Sequence, residues 1–177
     1  MTKYKNVKSN EIMLSGISPN SLVNGPGLRM VYFSQGCTHK CNKCFNPETW
    51  NFSGGKIFKI ETLINDLKKE PYLDGITFSG GDPIEQYDKF NIIAKEAKSM
   101  NLSVWLWTGY TWKLLMEKAK KDNNLLEFIK LLDVVVDGKF VASLTKTNKC
   151  KYTGSSNQKL IDVKKTLHSK KIVEWIF

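Results

Sequence analysis

The sequence predicts an α/β fold, an open and partial (β/α) barrel with mostly parallel strands. Three observations point there. Short apolar runs of strand length alternate with stretches of helical periodicity, the pattern of βαβ units joined by right-handed crossovers. A cysteine cluster, Ser79-Gly80-Gly81-Asp82-Pro83, Thr108-Gly109 and Asp137-Gly138 each fall just after a predicted strand, where ligands gather in parallel folds. The 177 residues suit a single domain with its own core, but are too few for the roughly 250 of a complete eight-fold barrel.

The elements follow in order. Residues 1–12 (MTKYKNVKSNEI) lack the apolar stretch and cleavage site of a signal peptide. They open a short N-terminal arm ahead of a core expected over about residues 22–160. Asn24-Gly25-Pro26-Gly27 is a turn signal. Residues 28–34 (LRMVYFS) read as a buried strand, and the cysteine loop follows it. Leu63, Ile64 and Leu67 give residues 62–69 helical spacing, and 75–78 (GITF) form a short strand ending in the SGGDP turn. A helix is expected over 84–99, with Ile92, Ile93 and Ala97 facing inward. Residues 102–107 (LSVWLW) form the next strand, 112–121 and 125–131 two helices, and 133–136 a further strand. The tail, 171–177, is a candidate for one more strand. No repeat, low-complexity segment or linker interrupts this pattern.

Composition sets the class. The chain is 41% hydrophobic and 25% charged, close to the average for soluble proteins. No apolar run reaches the ~18–20 residues of a membrane helix, so a cytoplasmic protein is expected. The formal net charge is +10. Its lysines come in pairs such as Lys68-Lys69 and Lys120-Lys121, mostly beside apolar residues at helix-like spacing. They read as solvated helix faces, and no direct nucleic-acid binding is expected from charge alone.

Three of the four cysteines, Cys37, Cys41 and Cys44, lie within eight residues at C-x3-C-x2-C spacing. In a chain without a secretion signal, such clustering suggests metal rather than disulfides. Structural zinc takes four protein ligands, and iron–sulfur clusters usually four cysteines. Three thiolates leave a metal site with a vacant position. His39 is the alternative fourth ligand, which would make a zinc-binding nucleic-acid module. Cys150, far away, reads as an incidental thiol, and His168 as a surface residue near the tail.

The cysteine spacing after a first strand resembles the radical S-adenosylmethionine superfamily. Further segments match in order: Val23–Gly27 with Arg29, Cys44-Phe45-Asn46-Pro47 with Trp50, Ser79–Pro83, Trp107–Tyr110, Val136–Phe140 and Gly154–Gln158. Together they resemble the activating proteins of anaerobic ribonucleoside-triphosphate reductases, over about residues 22–159. The resemblance implies a 4Fe-4S cluster on Cys37, Cys41 and Cys44, whose fourth iron binds S-adenosylmethionine. Reductive cleavage would give a 5′-deoxyadenosyl radical that generates a glycyl radical on the large subunit of the reductase, with an electron donor such as flavodoxin. It implies cofactor contacts from Ser79, Gly80, Gly81 and Asp82, from the backbone of Lys43, Cys44 and Phe45, and from Asp137 and Lys139. For the last pair, an exposed surface turn is the alternative reading. Asp82 stands where relatives often carry glutamate, and no aromatic precedes Cys44, so the side chain stacking on adenine is open. Activation of another glycyl-radical enzyme, such as pyruvate formate-lyase, and simple electron carriage are the other readings. No side-chain catalytic dyad is evident, as hydrogen abstraction by a carbon radical requires none.

Overall fold

The structure is a computed structural model that describes residues 3–145 and 151–176; Cys150 lies outside the described residues. Among the described residues, seven strands form one sheet in the order β3-β1-β2-β4-β5-β6-β7. They are β1 (Glu11–Ser21), β2 (Arg29–Ser34), β3 (Lys56–Lys59), β4 (Gly75–Gly80), β5 (Ser103–Trp107), β6 (Val134–Asp137) and β7 (Lys159–Asp162). The described α-helices are α1 (Ile60–Lys68), α2 (Tyr87–Ser99), α3 (Trp112–Ala119), α4 (Asn123–Leu131) and α5 (Val163–Ser169).

The sheet is mixed rather than mostly parallel. The pairs β2–β4, β4–β5 and β5–β6 are parallel, while β1–β2, β1–β3 and β6–β7 are antiparallel. The reason lies in the connections. A parallel neighbour needs a long crossover, and only the segments carrying α1 to α4 supply one. Where the sequence suggests an arm, the chain forms β1, between β3 and β2. Its alternation is masked by breaks of register between Leu14 and Gly16 and between Ser18 and Ser21, around Gly16 and Pro19, residues typical of bulges. The described part of the tail makes only an isolated bridge from Glu174 to Ile161 rather than a strand.

Every helix contributes to one core on one sheet face, through residues such as Ile60, Leu63, Ile93, Leu115, Phe128 and Val163. Along α2 the inward residues are Phe90, Ile93, Ala94 and Ala97, at the 3-4-7 spacing of one helix face. Ile92, expected inward, is 43% exposed, because it stands about 100° around the helix from Ile93. The starts of α3, α4 and α5 are capped by side chains: Thr111 accepts from Leu114 N, Asp122 from Asn124 N and Leu125 N, and Asp162 from Lys165 N.

On the other face, Trp105, Val134, Val136 and Leu160 pack together, with Trp107, Tyr152 and Trp175 against them. Arg29 is fully buried here and, among the described residues, pairs with no carboxylate. It donates instead to Thr77 Oγ1, Pro26 O, Ser103 Oγ and the carbonyls of Ile76 and Ser103, with Trp105 5.4 Å from its guanidinium carbon. Burial lowers its pKa to about 10, still charged at neutral pH. Arg29 thereby ties β2 to β4, to β5 and to the Asn24–Gly27 turn.

Candidate functional site

The carboxyl ends of the parallel strands β2, β4, β5 and β6 open onto one cavity of about 420 Å³. Cys37, Cys41 and Cys44 line it, together with Ser79-Gly80-Gly81, Trp107-Thr108-Gly109 and Gly138. The loops noted in the sequence after four different strands therefore meet around one space, within the ~300–1,000 Å³ usual for ligand pockets.

The cysteine loop is held from beneath. Gly36 N donates to Thr49 O at 2.8 Å and Cys37 N to Trp50 O at 3.3 Å. The Gln35 amide nitrogen donates to Glu48 O and Asn51 O. The short 3-10 helix Pro47–Trp50 is thus the floor on which the loop rests, which accounts for the length of chain following Cys44. Lys40 and Lys43 adopt left-handed backbone with φ of 47° and 58°, turning the loop sharply between its cysteines. All three thiols are free. Cys37 is buried, and its thiol is pushed up to about 11 by desolvation, against the pull of the backbone at His39 and Lys40. Cys41 is also raised by burial, while the backbone of Phe140 and the ammonium of Lys139 pull it down.

Among the described residues, no three His, Cys, Asp or Glu side chains are grouped to hold a single metal ion. A zinc site needs its donors converging at about 2.0–2.3 Å from one ion, whereas a four-iron cluster takes each thiolate on a different iron. His39 is engaged elsewhere: its Nε2 lies 2.6 Å from Asp82 Oδ2.

The other residues singled out in the sequence fall into two groups. Ser79, Gly80, Gly81 and Phe45 line the cavity. Gly80 has φ +93°, and a Cβ there would meet the Ser34 backbone at 2.6 Å, so only glycine lets β4 turn this close to β2. Phe45 is 71% exposed and packs on Phe140, with ring centroids 4.6 Å apart. Lys43 is exposed and outside the cavity wall. Asp82 is fully buried, its carboxylate accepting from Ile84 N, Thr108 Oγ1, Gly109 N and His39. Asp137 is neither exposed nor in a surface turn: it accepts from Trp112 N at 2.7 Å and Lys159 N at 3.1 Å, fastening α3 and β7 to β6. Lys139 is exposed, and its carbonyl accepts from Asn157 Nδ2.

The linkage of His39 to Asp82 was not legible in the sequence, where 43 residues separate them. The contribution of Gln158 was also missed. It lines the cavity, and its side chain accepts from Gly154 N and donates to Gly138 O.

Comparison with known proteins places these features in context. Residues 23–161 match the family described as "4Fe-4S single cluster domain". A protein of Enterobacteria phage T4 named "Anaerobic ribonucleoside-triphosphate reductase-activating protein" is 38% identical over 151 residues, covering 81% of this chain and 90% of its own. Proteins of the same name from Escherichia coli (strain K12) and Haemophilus influenzae are 36% and 34% identical, each covering 79% of this chain and 92% and 91% of their own.

Proposed function

The chain belongs to the family of anaerobic ribonucleoside-triphosphate reductase-activating proteins, with a 4Fe-4S domain, and from that premise we propose that it is a radical S-adenosylmethionine enzyme of the cytoplasm that sets a glycyl radical on such a reductase. When bound, a cluster on Cys37, Cys41 and Cys44 would supply the electron that cleaves S-adenosylmethionine, releasing an adenosyl radical able to take a hydrogen atom from a glycine of the partner. In fold terms, the open sheet order supports reading the domain as a partial barrel of the superfamily's type.

The observation that carries this reading is the presence of three free thiols on one cavity beside a glycine turn. The donor set suits an iron–sulfur cluster with one iron uncovered. Ser79, Gly80 and Gly81 offer backbone without side-chain bulk, suited to approach by the amino-acid end of S-adenosylmethionine. Phe45, packed at a tilt against Phe140, offers an apolar face for adenine. Asp82 and Asp137 hold the surrounding loops, and Lys139 adds a cation beside Cys41. Electrons would come from a donor such as flavodoxin.

The test is anaerobic reconstitution with iron and sulfide, then addition of reductant, S-adenosylmethionine and the cognate reductase. The reading predicts 5′-deoxyadenosine and a glycyl radical seen by electron paramagnetic resonance (EPR). A cluster without 5′-deoxyadenosine would leave an electron carrier. A colourless protein with one zinc would leave a binding module.

A further inference from the structure

We propose that His39 is a positioning residue: it is not an iron ligand, but, held through Nε2 by Asp82, it sets the cysteine loop against the glycine turn and so places the cluster for its cofactor. This rests on the cluster-binding reading above. The ring side chain is 8% exposed, and Nε2 stands 2.6 Å from Asp82 Oδ2. A carboxylate only accepts, so Nε2 carries the proton and donates. Among the described residues no lysine or arginine pairs with Asp82. Its other donors, Ile84 N, Thr108 Oγ1 and Gly109 N, belong to the turns after β4 and β5.

His39 is therefore the group by which the cysteine loop joins that buried carboxylate. It lies two residues from Cys37 and two from Cys41, so its position constrains both ligands. Its ring rests on Gly109 so closely that a Cβ there would stand 2.3 Å from the ring. On another side Tyr110 meets it edge-on at 4.6 Å. The ring is thus clamped by contacts from the β5 loop and by the hydrogen bond it donates to the β4 turn. Thr38 Oγ1 and Tyr110 O–H both donate to Glu85 Oε1, so the same loops keep a second tie if the ring is removed. The fold should survive its loss while the finer setting of the cysteines does not.

The test uses full-length His39→Leu, His39→Gln, Asp82→Asn and the His39→Leu/Asp82→Asn double variant, each reconstituted anaerobically. Leucine fills space without a donor, whereas glutamine can present an N–H where Nε2 stood. Three quantities are read: the rate of cluster loss to a chelator, the dissociation constant of S-adenosylmethionine, and the change it causes in the EPR spectrum of the reduced cluster. Loss of an outer partner of a metal ligand commonly costs 10–100-fold in affinity. His39→Leu should therefore lose cluster and cofactor affinity by about tenfold and show an altered cofactor-induced spectrum. His39→Gln should recover most of both. The double variant should be no worse than the poorer single one, because the two residues act as one unit. Gly109→Ala, which pushes on the ring without removing it, should resemble His39→Leu. Unchanged cluster retention, cofactor affinity and spectrum in His39→Leu would overturn the proposal while leaving the cluster reading intact. So would fully additive losses in the double variant, or nitrogen coupling to the cluster from isotope-labelled histidine. A wild-type chain that took up no cluster would remove the reading and the proposal together.

Discussion

Cys37 differs from its two partners in environment. It is buried, with its thiol pushed up to about 11, whereas Cys41 and Cys44 are half-exposed. Only thiolate reacts with alkylating agents, and below the pKa its fraction rises about tenfold per pH unit. In metal-free protein Cys37 should lag the other two toward iodoacetamide at pH 8, and its rate should still be climbing at pH 10. Peptide mass spectrometry reads the order, and a Cys37 that reacts first would contradict it. Replacing any of Cys37, Cys41 or Cys44 by serine should take bound iron from about four per chain to near zero, whereas Cys150→Ser should leave it unchanged. The candidate ligands were legible because three thiols crowded onto one short loop point to metal. Asp82 and Asp137 were legible as unusual residues, but not in their placement: each carboxylate is satisfied by groups from other elements, and such pairings are set by packing that one sequence does not display.

At the scale of elements, β2, β4, β5 and β6 and the helices α1 to α4 were readable because their buried faces leave clear apolar periods. β1 was not, since its register breaks around Gly16 and Pro19 imitate a loop. The short edge strands β3 and β7 are four residues each, too brief for a period to emerge. Arg29 illustrates how the elements are joined. Replacing it with methionine would leave the carbonyls of Ile76 and Ser103 short of donors and release Pro26. Each acceptor so orphaned costs about 1–3 kcal/mol, so the metal-free protein should lose about 3 kcal/mol. Urea denaturation measures this, and an unchanged midpoint would refute the tie between β2, β4 and β5.

For the whole molecule, the main core packs on the helix-covered face of the sheet and includes none of the three cysteines. The fold should therefore not depend on metal, unlike zinc modules that unfold without it. Stripping iron with a chelator should bleach the protein yet leave its far-ultraviolet circular dichroism nearly intact; collapse of that signal would argue for a metal-nucleated fold. What the fold achieves is convergence, since parallel strands deliver their post-strand loops to one cavity, and that arrangement was foreseeable from the alternation of elements alone. The central claim is that three cysteine sulfurs leave one iron open to the cofactor. Electron–nuclear double resonance on the reduced cluster, with S-adenosylmethionine labelled at its amino nitrogen and carboxylate oxygens, tests this most directly. The account predicts hyperfine coupling from both labels, lost when the cofactor is washed out. A reduced cluster showing coupling to neither, with a protein nitrogen or oxygen on the fourth iron instead, would contradict it.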